Sequence, residues 1–83
     1  MTKEQIIKKI NVILAEEFEI PMELITPDAD IRQTLDVDSM RALELMALIR
    51  KELGVKMAPY DLPKLVTFED IYRFIYEHQS NKG

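Results

Sequence analysis

The chain has 83 residues, no cysteine, and 15 acidic against 11 basic residues, for a formal net charge of −4. A chain of that length forms one domain, residues 1–83, that buries only about 60% of its unfolded surface, leaving room for three or four helices and little for a deep preformed catalytic cleft. With no cysteine and a single histidine, His78, a disulfide framework, a thiolate nucleophile and a His/Cys zinc cluster are excluded.

The first helix opens at Thr2-Lys3-Glu4-Gln5, a capping-box pattern in which threonine and glutamine each satisfy a backbone N–H of the first turn. Ile6, Ile10, Ile13 and Leu14 follow at i, i+4, i+7 and i+8, with Ile7 and Phe18 widening the stripe. Lys3, Lys8, Lys9, Asn11 and Glu16 take the polar side, so the helix reads as core-facing and not as a membrane-surface helix. Pro21 and Pro27 then keep the backbone from Ile20 to Leu35 largely irregular. Met22, Leu24, Ile25, Ile31 and Leu35 are the residues with which this long first loop packs onto the core.

A second helix runs from about Ser39 to Leu53, starting at Asp38 or Ser39, with Leu43, Met46, Ile49 and Leu53 as its apolar stripe and Ala42 admitting a close neighbour. Gly54 ends it, because glycine takes the left-handed cap at no steric cost. Arg41, Glu44, Arg50, Lys51 and Glu52 are left for solvent or partners. Pro59 and Pro63 around Tyr60-Asp61-Leu62 permit one helical turn at most, a short third helix. Thr67-Phe68-Glu69-Asp70 caps a fourth, with Phe68, Ile71, Phe74 and Ile75 inward and Tyr72, Tyr76 and His78 on outer or end turns. His78 near a helix C-terminus makes a favourable dipole contact and is no catalytic base. Residues 79–83 read as a flexible tail. The expected fold is all-α: a small four-helix bundle of three main helices and one short one, with a long first loop.

Charge is distributed unevenly: residues 16–44 hold nine acids and two bases. An acidic centre argues against nucleic acid, whose phosphates need a basic face, and suits docking onto basic patches of proteins; a solvated acidic surface kept for solubility accounts for the charge equally well. The polar start Met1–Gln5 and the short aliphatic run Leu45–Ile49 predict no leader and no membrane insertion, hence a soluble cytoplasmic protein, and a monomer is expected.

The stretch Thr34-Leu35-Asp36-Val37-Asp38-Ser39-Met40-Arg41-Ala42-Leu43-Glu44-Leu45-Met46 organises the rest. Asp36 and Asp38 are helix-starting carboxylates, and Ser39 meets unpaired N–H groups and the positive end of a helix dipole, a setting that suits a phosphate ester. On Asp38-Ser39 alone, a serine that merely helps start a helix is the ordinary reading.

The wider spacing, Leu35, Asp38-Ser39-Met40 and Glu44-Leu45, resembles the prosthetic-group attachment motif of acyl carrier proteins, and the resemblance extends without a gap over roughly residues 3–78. It implies that Ser39, preceded by Asp38, carries 4′-phosphopantetheine from coenzyme A, whose thiol holds acyl groups as thioesters for enzymes that build fatty acids, polyketides, aminoacyl thioesters or a cell-envelope lipid, with no catalysis by the chain itself. It implies as partners a holo-carrier synthase (a phosphopantetheinyl transferase) and acyltransferases, ketosynthases or an acyl-activating ligase, docking through Asp36, Met40, Arg41 and Glu44. It also implies an expandable acyl pocket bounded by Met46, Ile49, Leu53, Met57, Leu62, Leu65 and Ile71, although each of these singly reads as plain core. The chain departs from the family at Asp36, where glycine is usual, at Met40, where leucine is, and at Arg41, where fatty-acid carriers often have an acid. If the backbone at Asp36 needs a positive φ, aspartate tolerates it better than most residues. Two other functions compete. An acidic adaptor of the same fold would work without the arm, but would not need the Asp38-Ser39 pair. A serine hydrolase would need a positioned base, and His78 lies at the far end of the fourth helix.

Overall fold

Thr2 begins the first helix as its capping box requires: its Oγ1 accepts from the Gln5 N–H at 3.2 Å, and Gln5 Oε1 accepts from the Thr2 N–H at 2.9 Å. The computed structural model describes residues 1–79. Its α-helices are α1 (Lys3–Glu17), α2 (Ile31–Leu35), α3 (Ser39–Leu53) and α4 (Phe68–His78), with 3₁₀ segments at Met22–Leu24 and Pro59–Lys64. Among the described residues there is no strand, only an isolated antiparallel bridge between Asp30 and Thr67. The architecture is thus an all-α bundle of three long helices and shorter pieces, and no described helix is long and apolar enough to cross a membrane.

The core joins Ile6, Ile10, Leu14 and Phe18 to Leu45 and Ile49 of α3 and to Phe68, Ile71, Tyr72 and Ile75 of α4. Tyr72 corrects the expectation that it lies outward: it is fully buried, and its hydroxyl donates to Asn11 Oδ1 at 2.7 Å. That bond satisfies the phenol inside the core, so the ring contributes apolar burial without leaving a polar group unpaired. Burial pushes the Tyr72 phenol above its ordinary pKa. Phe74, expected inward, is only half-buried and stacks on His78 with ring centroids 4.1 Å apart. His78 Nδ1 lies 2.9 Å from the Phe74 carbonyl, the helix-end contact its position predicts.

The stripe of α3 is also shifted. Leu45 and Ile49, one turn apart, are fully buried, whereas Leu43 is exposed and Met46 and Leu53 are half-buried. A helix buries the arc its neighbours cover, and here they cover the Leu45 side. The αL cap at Gly54 (φ 69°) ends α3 as expected, its N–H donating to the Arg50 carbonyl at 3.0 Å.

The segment 20–35 is less irregular than its prolines predict. Asp30 caps α2, its Oδ1 accepting from the Gln33 N–H at 3.0 Å, and Met22–Leu24 forms a 3₁₀ turn after Pro21. Ile25, Ile31 and Leu35 reach the core, but Met22 and Leu24 are exposed. The loop is held to the start of α4 by backbone bonds from Ile31 N–H to Val66 O (2.9 Å) and from Glu69 N–H to Pro27 O (2.9 Å). At the same corner the Thr67 and Val66 N–H groups donate to the Asp70 carboxylate, holding its pKa below the usual range. The short third helix is a six-residue 3₁₀ segment, longer than the single turn expected, because Pro63 in so short a run removes only one donor. Gln79, expected in the tail, donates from Nε2 to the Met1 carbonyl at 2.9 Å; the rest of that tail, 80–83, lies outside the described residues.

Candidate functional site

Ser39 owes its position to two backbone devices on its N-terminal side. Asp36 is left-handed (φ 54°, ψ 55°) and closes α2, and the N–H of Val37 also bonds back to the Arg32 carbonyl at 3.1 Å. Glycine is the usual residue there, and aspartate is one of the few others that tolerates the conformation. The chain then reverses into Asp38, whose extended backbone makes it the N-cap of α3. Asp38 Oδ1 accepts from the Arg41 N–H at 2.9 Å and its carbonyl accepts from the Ala42 N–H at 2.9 Å. The N–H groups of Ser39 and Met40 have no acceptor among the described residues, so the helix end presents two donors and its positive dipole beside the exposed Ser39 hydroxyl.

Asp36, Asp38, Met40 and Glu44 are all exposed around Ser39, Met40 at 73% and the neighbouring Leu43 at 61%. These make an apolar strip edged by carboxylates on the outer face of α3. Arg41 is different: half-buried, it lays its guanidinium 5.5 Å over the Phe18 ring at the end of α1. Its charge is therefore drawn toward the junction of α1 and α3.

A pocket of about 270 Å³ opens beside Ser39, lined by Ile31, Arg32 and Val37 on one side and by Leu45, Leu62 and Leu65 on the other. A larger open cleft of about 940 Å³ lies further along α3, with Met46 and Met57 in its lining. The seven residues expected around one acyl pocket are thus dispersed: Leu62 and Leu65 adjoin Ser39 and the two methionines face the larger cleft. Ile49 and Ile71 are fully buried core, and the half-buried Leu53 packs against that core. Arg32, Val37 and Leu45, none of them expected in an acyl pocket, line the cavity beside Ser39 instead. The signal for Arg32 was present, since Asp30 followed by Gln33 three residues later is a helix start.

The family model described as phosphopantetheine attachment site matches residues 8–75. The chain belongs to this family. Within the matched region Ser39 is an exposed serine at the start of a long helix. The chain is similar to an acyl carrier protein of Rubrobacter xylanophilus, 29% identical over 80 residues that span 96% of this chain and 99% of the relative. An acyl carrier protein of Lactobacillus johnsonii is 32% identical over 80 residues, 96% of this chain and all of its own length. The polyketide-8 synthase acyl carrier protein 2 of Streptomyces avermitilis is 29% identical over 68 residues, 82% of this chain and 78% of the relative.

The residues present fit the family's prosthetic group. Two undirected N–H groups and a helix N-terminus favour an anionic phosphodiester at Ser39, Arg32 adds a cation beside it, and the apolar wall of the adjoining pocket accommodates uncharged chain. Among the described residues no group of three or more His, Asp or Glu side chains is placed to hold a metal ion.

Proposed function

We propose that this chain is an acyl carrier whose Ser39 hydroxyl is the attachment point of 4′-phosphopantetheine. When bound, that group supplies a thiol that holds acyl groups as thioesters. The chain's own residues attach, orient and present it. Asp38 takes the Arg41 N–H and so leaves the Ser39 and Met40 N–H groups for the phosphate oxygens; Arg32 balances the charge; Val37, Leu45, Leu62 and Leu65 shelter the apolar part of a cargo. Asp36, Asp38, Met40, Leu43 and Glu44 form the surface on which a holo-carrier synthase and then acyltransferases, ketosynthases or an acyl-activating ligase dock through basic patches, while Arg41, held against Phe18, sets how closely they approach. The chain contributes no catalytic group to these reactions.

The observation that carries this reading is the placement of an exposed serine, with two undirected N–H groups, at the mouth of an apolar pocket inside the family-matched region. Incubation with coenzyme A and a holo-carrier synthase should add one phosphopantetheine by intact mass, and Ser39→Ala should abolish the addition. Because the chain lacks cysteine, thiol titration should read zero before loading and one after it. Modification persisting in Ser39→Ala would move the site elsewhere; a wild-type chain that every tested synthase leaves unmodified would favour an adaptor working without the arm.

A further inference from the structure

The larger cleft differs from the Ser39 pocket in charge. Arg50 and Lys51 occupy the last turn of α3, where cations complement the negative end of the dipole, and alone they would mean no more than that. Lys56, however, stands beyond the helix, after Gly54 and Val55, and lines the same cleft. Three cations thus meet at a concavity of about 940 Å³ whose apolar lining includes Met46 and Met57. Asp61 is the carboxylate of the lining, and its Oδ2 is engaged by the Ala58 N–H at 3.0 Å. The ion pairs among the described residues use Lys3, Arg73, Glu69 and Asp70, leaving Arg50, Lys51 and Lys56 unneutralised. In a chain of net charge −4 this is a local reversal of sign.

We propose that this cleft receives the carboxylate end of a dicarboxylic acyl group carried on Ser39, so that carboxylate-tipped and purely apolar cargoes rest in different places. The proposal builds on the carrier reading. Reach permits it: at about 1.5 Å per residue along α3, Met46 lies roughly 10 Å and Arg50 roughly 16 Å from Ser39. At about 3.5 Å per three bonds of extended chain, the roughly thirteen bonds from phosphorus to sulfur of the arm span on the order of 15 Å before any acyl group is added. The two cavities share no lining residue but draw on the same two segments, Leu45 and Leu62 lining the pocket beside Ser39 and their chain neighbours Met46 and Asp61 lining the cleft. The methionines are adaptable apolar surface for the methylene run, and the three cations lie where its carboxylate arrives. Exposed Lys and Arg hold a free carboxylate weakly; a tether supplies the ligand at an effective concentration in the millimolar range, which makes a weak site sufficient. A free anion from solution lacks that advantage.

The test compares succinyl- and butyryl-loaded protein, alike in chain length and different in the terminal carboxylate, with loading confirmed by mass. The succinyl form should shift the amide resonances of Met46, Lys56 and Met57 and melt higher than the butyryl form, and Lys56→Glu with Arg50→Glu should erase both differences. Both side chains are exposed, so the variants keep the core. In a second arm, succinyl-pantetheine is titrated onto unloaded Ser39→Ala protein: shifts confined to the same residues, weakened roughly fivefold by Lys56→Glu, support the cleft as a carboxylate site independent of attachment. If neither the tethered nor the free succinyl group moves these resonances more than its butyryl counterpart, the proposal is overturned. Failure of the mass increment would count against Ser39 attachment instead, and the second arm, run at millimolar succinyl-pantetheine to match the tether's effective concentration, would still decide the cleft.

Discussion

Asp36 is where backbone geometry and site meet, and a substitution series there measures what the left-handed turn costs. Its φ of 54° is closed on both sides: its own N–H caps α2 on the Arg32 carbonyl, and Val37 bonds to the same oxygen. The left-handed region costs an ordinary L-residue roughly 1–2 kcal/mol relative to glycine, less for Asp and Asn, while glycine gives back about 0.4–1 kcal/mol through the freedom of its unfolded chain. Asp36→Gly and Asp36→Asn should therefore both lie within about 0.5 kcal/mol of wild type. Asp36→Ala should fall about 1 kcal/mol below them, which for a domain of this size lowers Tm by about 4–8 °C. Asn removes the charge while keeping the tolerance, so it separates electrostatics from strain. Urea denaturation read by circular dichroism gives the stabilities, and phosphopantetheine loading rates show whether the strained turn also displaces Ser39. If Asp36→Ala is as stable as Asp36→Gly and loads at the same rate as Asp36→Asn, the turn does not set the entry to α3 and the reasoning fails.

Three further outcomes follow from the same geometry. Glu44→Lys should slow loading by the synthase at low ionic strength and flatten its salt dependence, the difference closing as the Debye length falls toward about 3 Å near 1 M salt; unchanged kinetics at low salt would remove the acidic face from docking. Between Tyr72 and Asn11 the costs should be unequal: Tyr72→Phe leaves a half-buried amide that water reaches and costs about 1 kcal/mol, whereas Asn11→Leu strands a fully buried phenol and costs about 2 kcal/mol. Equal urea midpoints for the two variants would show that the bond is not what buries Tyr72. Octanoyl loading should raise Tm over the holo form by an increment that grows with acyl length until the pocket beside Leu62 and Leu65 is filled, since each sheltered methylene stabilises by about 0.8 kcal/mol; a Tm independent of length places the chain in solvent.

What the sequence determined by itself was local and covalent in reach. The capping boxes at Thr2 and Thr67, the helix start at Asp38, the left-handed cap at Gly54 and the positive φ tolerated at Asp36 each depend on residues within four positions of one another, and each stands in the structure as read. The placement of Ser39 at a helix start belongs with them. Tertiary packing decided which face of each helix is inside. Leu43 and Leu45 are equally apolar, and only the position of neighbouring elements buries one and exposes the other. Tyr72 has a polar tip that reads as outward until Asn11, on a different helix, supplies an acceptor. Nor could periodicity show that Arg32 would be brought beside Ser39 by a short helix pinned to the start of α4, or that Lys56 would join Arg50 and Lys51 across a turn. Such groupings depend on the path of the chain between elements, which is held by hydrogen bonds of long sequence separation such as Ile31 N–H to Val66 O.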